Sequence, residues 1–260
     1  MSVAALEEYK AKYAIHEACR EGQSTSTHSL LPTITNTPPP ASKVESLLAA
    51  NPKLASLRDP DDRLPLHWAV SYNHLPIIEA LVQAKGFDAD AADGSGWTAL
   101  HMACSRADSD AAIHLLLSKD ADVNARTNGG QTALHFCASK NNLDAARLLM
   151  AQKPPASARL KDKRGQLPLH RAAAAGNVPM MKALLDTGKS PLNATDSDGM
   201  TALHHAVSEG HGDAALLLLQ RGAEWDKKDS WEKVALDYAP DAKTRTFILQ
   251  SAEREGIELE

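Results

Sequence analysis

Aromatic residues make up only 4% of this 260-residue chain, and cysteine occurs three times. A core must therefore be built from Ala and Leu, as expected for small helices packed in close layers. Cys19, Cys104 and Cys137 form no C-x-x-C and no even-numbered framework, which excludes a disulfide scaffold. Each lies just beyond a recurring histidine, and each reads as a small buried hydrophobe in a reducing compartment. No run approaches the ~18 apolar residues of a membrane span, and the first twenty residues hold no apolar signal stretch. The expected address is cytoplasmic and nuclear, and the sequon Asn193-Ala194-Thr195 reads as a chance match. The 28 basic and 33 acidic residues are interleaved at a net charge of −5, without the basic stripe of a nucleic-acid binder. G-x-S-x-G, H-E-x-x-H, P-loop and G-x-G-x-x-G patterns are all missing, so neither an enzyme nor a cofactor is expected.

What the chain does have is a ruler. Leu-His pairs recur at His67, His101, His135, His170 and His204, with steps of 34, 34, 35 and 34 residues. The surrounding phrases run from Leu64-Pro65-Leu66-His67-Trp68-Ala69 to Thr201-Ala202-Leu203-His204-His205-Ala206. A low-thirties period around T-P-L-H-x-A resembles the ankyrin repeat. The implied fold is all-α: a solenoid of helix-turn-helix units with β-turn fingers and a concave binding groove.

Each unit carries its own punctuation. Thr98, Thr132 and Thr201 stand where an N-cap hydroxyl is wanted, and the units with Leu64 and Leu167 carry Pro65 and Pro168 next. Six residues after each histidine come Asn73, Ala107, Asn141, Gly176 and Gly210. Gly and Asn suit a left-handed helix end, so Ala107 predicts a looser one. In the unit after Gln166 the second helix is expected to end at Gly188. Tyr13 to Gly22 reads as the first helix of an opening repeat and Lys43 to Ala50 as its second. Between them the Ser/Thr/Pro-rich segment 23–40 is expected to be a disordered insertion. Val234 to Ala239 repeats the pattern with Asp237 in place of histidine and is flanked by charge, which marks a cap. The reading is a single domain over 1–260 with seven repeats, at about 10–57, 58–92, 93–126, 127–161, 162–195, 196–229 and 230–260.

The histidines read as spacers tying one repeat's turn to its neighbour's backbone. Stacked layers stand roughly 10 Å apart, too far for neighbouring imidazoles to share a metal at ~2 Å. No metal site is expected, at His204, His205 and His211 included. Asp93-Gly94-Ser95-Gly96 reads as an inter-repeat turn. Binding residues are expected where the repeat pattern is silent: at turn tips and just before each helix-ending Gly or Asn. Those positions supply Asp61, Arg63, Tyr72, Trp97, Arg106, Gln131, Lys140, Lys163, Arg164, Asp198 and Glu209, with Trp68 and Arg171 beside their histidines. Arg with Trp and Tyr is the composition of interface hot spots. The expected partner is a protein with an acidic surface, met by a chain that is a monomer when free and binds neither nucleic acid nor membrane.

Longer phrases narrow the resemblance. Leu54-Ala55-Ser56-Leu57-Arg58-Asp59, Gly96-Trp97-Thr98-Ala99-Leu100-His101, Leu134-His135-Phe136-Cys137-Ala138-Ser139-Lys140-Asn141 and His170-Arg171-Ala172-Ala173-Ala174-Ala175-Gly176-Asn177 occur in the repeat order of the gankyrin family, over about residues 42–240. That resemblance implies a chaperone of proteasome regulatory-particle assembly. Such a chaperone grips the C-terminal domain of one proteasomal ATPase subunit and delays its docking onto the core particle. It also implies that Arg63, Lys140 and Arg171 meet acidic residues there, with Trp68 and Trp97 nearby. The 23–40 insertion departs from the family pattern. His205-Ala206-Val207-Ser208-Glu209 lacks the Leu and Cys of the mammalian member's retinoblastoma-binding Leu-x-Cys-x-Glu motif, so that partner is not expected. A generic ankyrin adaptor, or a regulatory piece of an enzyme, are the alternatives.

Overall fold

The computed structural model describes residues 12–21 and 40–259. Within them helices pair off along the chain: α1 (Ala14–Glu21) with α2 (Pro40–Ala50), α3 (Pro65–Ser71) with α4 (Leu75–Val82), and α5 (Ala99–Cys104) with α6 (Asp110–Leu117). Next come α7 (Ala133–Lys140) with α8 (Leu143–Met150), α9 (Pro168–Ala174) with α10 (Val178–Asp186), and α11 (Ala202–Ser208) with α12 (Gly212–Gln220). A 3-10 turn (Ala235–Tyr238) followed by α13 (Ala242–Arg254) completes the series, and a further 3-10 turn (Pro52–Ser56) follows α2. The fold is all-α; among the described residues, isolated bridges such as Ala92–Thr98 and Thr195–Thr201 stand in place of strands. Apart from Pro40, which opens α2, the expected insertion lies outside the described residues. No described helix is long and apolar enough to cross a membrane.

These elements group into two compact units, one of the described residues up to Ala103 with Asp108–Asp122 and one of Cys104–Ala107 with the described residues from Val123 onward. In the first, α1 packs on α3, while α2 packs on α4 and α4 on α6. In the second, α7, α9, α11 and the 3-10 turn pack in succession, as do α8, α10 and α12. First helices thus meet first helices and second helices meet second. Ile15, Ile77, Ile78, Ile113 and Leu116 fill the first unit, and Leu134, Leu149, Leu167, Leu169 and Met180 the second. Small Ala side chains such as Ala69, Ala103, Ala138, Ala172 and Ala206 are fully buried among them. The three cysteines are buried free thiols, and burial pushes Cys19 up to about 12.

The repeat histidines build both the caps and the joints between layers. Nδ1 of His67, His101, His135, His170 and His204 accepts the backbone N–H of the residue three before it, at 2.9–3.2 Å. The expected threonine hydroxyl caps form beside this bond at Thr98 and Thr201. The hydroxyls of Thr98 and Thr201 accept only at 3.4 Å, and the imidazole serves the units that start with Leu64 or Leu167 equally well. The opposite nitrogen faces a carbonyl oxygen of the next turn: Ala91 for His67 at 3.0 Å, Gln166 for His135 at 3.0 Å, Ala194 for His170 at 3.1 Å, and Lys233 for His204 at 3.3 Å. An oxygen there requires a donor, which assigns the neutral tautomer with the proton on Nε2. Burial pushes the His135 and His170 imidazoles down to about 4. With both nitrogens engaged, these rings have no lone pair left for a metal. Asp237, an acceptor only, takes the N–H of Val234 in the last repeat.

Helix ends follow the punctuation closely. Asn73, Asn141, Gly176 and Gly210 are left-handed, at φ 56°, 59°, 64° and 77°. α5, the first helix ahead of Ala107, stops early at Cys104. One helix end is corrected: α10 closes at Asp186, and Lys189 rather than Gly188 takes the left-handed conformation. Gly188 is needed for space, because a Cβ there would lie 2.8 Å from the Ala158 side chain.

Candidate functional site

The turn fingers are built on one repeated device. At each, the N–H of residue i donates to the carbonyl of residue i+4: Asp59 to Arg63, Asp93 to Trp97, Thr127 to Gln131, Asp162 to Gln166, Asp196 to Met200, and Asp229 to Lys233, all at 2.9–3.0 Å. The side chain at position i braces the loop from inside. Asp162 Oδ1 accepts from the N–H groups of Arg164 and Gln166 at 2.9 Å, and Asp59, Asp93, Asp196 and Asp229 repeat the pattern. The tips then link to one another, with Ser197 N–H donating to Arg164 O at 2.9 Å and Gly94 N–H to Asp61 O at 3.2 Å.

In four of these carboxylates the second oxygen reaches nine residues on, to the side chain just after the histidine position, whereas that of Asp93 accepts from Arg63 Nε. Trp68 Nε1 donates to Asp59 at 2.8 Å, Arg171 Nη2 to Asp162 at 2.8 Å, His205 Nε2 to Asp196 at 2.9 Å, and the Tyr238 hydroxyl to Asp229 at 2.5 Å. Burial by itself would raise the Asp162 carboxyl; the Arg171 guanidinium and the N–H groups of Gln166 and Arg164 outweigh it and hold it below the usual range. Asp59, Asp196 and Asp229 are lowered against burial in the same manner. Sequence reading passed over this carboxylate ladder, although its signal is visible: an Asp eight residues before nearly every repeat histidine, with Thr127 the exception.

In the first unit three of the expected residues converge. The Arg63 guanidinium lies 4.8 Å from the Trp68 ring centroid while its Nε donates to Asp93 at 3.3 Å. Trp68 stacks on Tyr72 at 6.3 Å, and Tyr72, nearly half exposed, stacks on His74 at 6.0 Å. Arg20 of α1 joins them from the opening repeat, 4.7 Å from the same Trp68 ring. No sequence signal pointed to it. Half-buried Trp97 stands apart, edge-on to His101, and Asp61 is exposed at its finger tip.

In the second unit Lys140 is exposed at the last position of α7, and Lys163 and Arg164 are exposed at one finger tip. None of the three forms an ion pair among the described residues. Arg171, by contrast, is three-quarters buried against Asp162, so part of its charge is spent inside the molecule. Arg106 and Gln131 are half-buried; the Arg106 carbonyl accepts from Asn142 Nδ2 at 2.9 Å, and the Gln131 N–H donates to the Thr127 hydroxyl at 3.2 Å. Asp198 and Glu209 are exposed.

The model for Ankyrin repeats (3 copies) matches residues 66–157 and 153–229. A Saccharomyces cerevisiae protein named as a probable 26S proteasome regulatory subunit, p28, is 36% identical over 93% of this chain and 99% of its own length. The chain belongs to the gankyrin family of ankyrin-repeat proteins. A second relative, an ankyrin repeat-containing protein of Schizosaccharomyces pombe, is 37% identical over 85% of this chain and 94% of its own length. Among solved structures, the ankyrin repeat domain of Bcl-3 superposes with a TM-score of 0.67 at 25% identity, over 90% of this chain and 96% of that one. This gankyrin-family chain thus shares its overall fold with a solved ankyrin repeat domain.

Proposed function

We propose that this chain is a non-catalytic chaperone that binds the C-terminal domain of a proteasomal ATPase subunit. It assists regulatory-particle assembly by steric control of docking onto the core particle, in the cytoplasm and nucleus. The observation that carries this reading is the near full-length similarity to a protein named as a proteasome regulatory subunit. The exposed cations Lys140, Lys163 and Arg164, with the Arg63–Trp68–Tyr72 cluster, supply the chemistry for an acidic partner surface. Charge complementarity of this kind raises on-rate and specificity more than raw affinity. No step requires bond chemistry: occupancy of the ATPase domain by the repeat array is itself the effect.

Pull-down against each isolated ATPase C-terminal domain tests the reading. One domain is expected to be retained, and the double variant Arg63→Glu/Lys140→Glu is expected to lose it. Retention of none, or undiminished retention by the variant, overturns the mechanism. The likeness to Bcl-3 favours a second reading, a general ankyrin adaptor for another acidic protein; affinity capture that recovers no proteasome subunit would select it.

A further inference from the structure

Trp68 has two cationic neighbours from different repeats. Arg63 reaches it from its own finger at 4.8 Å, and Arg20 reaches it from α1 at 4.7 Å. The two guanidinium carbons are therefore separated by at most twice a stacking distance. Their charges are compensated unequally. Arg63, its side chain one-third exposed, directs its Nε at the buried Asp93 carboxylate. Arg20 is exposed and has no ion pair among the described residues. Trp68 itself is held by its Nε1 donation to Asp59, and the Arg20 backbone carbonyl accepts from His74 Nε2 at 3.3 Å. Both the platform and the α1 end that carries Arg20 are thus anchored.

We propose that Arg20, Trp68 and Arg63 form a two-guanidinium clamp for a pair of carboxylates one helical turn apart on an acidic helix of the partner. This deepens the proposed function and rests on it for the partner's identity. Guanidinium groups stacked on an aromatic face keep their in-plane N–H donors free, and such planar forks bind carboxylates in bidentate fashion. Carboxylate side chains at i and i+4 of a helix stand about 5–6 Å apart at Cβ and diverge outward, which suits two donors flanking one ring. Arg20 therefore sets specificity: it converts a single-charge contact into one that counts two acidic residues.

A helical peptide carrying Glu at i and i+4, labelled for fluorescence anisotropy, tests the clamp on the full chain without any ATPase domain. The wild type is expected to bind it more tightly than a peptide with either Glu replaced by Gln. Arg20→Ala should weaken binding about fivefold and flatten its salt dependence, and Arg20→Lys should restore only part, because an ammonium cannot make the fork. Circular dichroism confirms the fold of each variant, Arg20 being exposed. Equal affinity for the Glu/Glu and Glu/Gln peptides, or an unchanged Arg20→Ala, overturns the clamp. Either result leaves ATPase-domain retention, read separately by pull-down, to decide the function.

Discussion

Arg171 and Asp162 form a buried pair at 2.8 Å, with the Asp162 side chain 2% exposed, and the same carboxylate holds the finger that presents Arg164. One residue thus serves stability and display together. Removing one partner of a buried ion pair leaves the other uncompensated. Asp162→Ala is expected to cost about 3 kcal/mol in denaturant unfolding, for loss of the Arg171 partner and both loop hydrogen bonds. A change under 1 kcal/mol would mean the ladder is ornamental.

The same pair separates two cations by role. Lys140 is exposed and unpaired among the described residues, whereas Arg171 is internally neutralised. Lys140→Ala should weaken binding to the retained ATPase domain with little change in melting temperature, and should lower the salt dependence of the affinity. Arg171→Ala should chiefly lower the melting temperature. Titration calorimetry at two ionic strengths, with thermal melts, distinguishes them; the reverse assignment would refute the division.

Acid should loosen the layers. An unfolded imidazole takes its proton near 6.5, while the folded His135 and His170 resist protonation down to about 4. Stability from these sites is full above pH 6.5 and is lost as pH falls through the window from 6.5 toward 4, where the unfolded chain alone binds protons. The limiting slope is about 1.4 kcal/mol per pH unit for each such histidine. Urea unfolding between pH 7 and pH 5 measures it, and a flat profile would contradict the neutral Nε2–H assignment.

Gly165 sits at φ 74°, and a Cβ there would meet the Ser197 backbone nitrogen at 2.8 Å. That contact lies beside the hydrogen bond joining neighbouring finger tips. Gly165→Ala is expected to destabilise by about 2 kcal/mol, combining left-handed strain with a displaced finger. Gly222 is also left-handed at φ 84° but has open space around it, so Gly222→Ala should cost less. Equal melting temperatures for the two variants would remove the close-approach argument.

Much of the frame could be read from residues alone. The histidine period located every helix pair from α3 to α12, and Asn73, Asn141, Gly176 and Gly210 marked helix ends, because local backbone needs leave local residue signatures. Gly188 misled because its role is to make room for Ala158, a contact between repeats rather than a backbone need. The exposed cations Lys140, Lys163 and Arg164 were legible as breaks in the repeat pattern. Arg20 was not: its neighbour Trp68 is 48 positions away, beyond an insertion that breaks the period.

By itself, then, the sequence determined an all-α ankyrin-repeat chain, its family and the side chains offered outside the repeat pattern. The fold and the offered side chains follow from periodicity and composition, which act within one repeat, and the family follows from the longer phrases that resemble it. Only the tertiary structure decided which charges remain available. Arg171 is spent on Asp162 and Arg63 partly on Asp93, whereas Arg20 is brought to Trp68 with its charge intact among the described residues. The physical reason is that a charge's compensation depends on what lies within a few ångströms, and stacking sets those neighbours from residues nine to 48 positions apart.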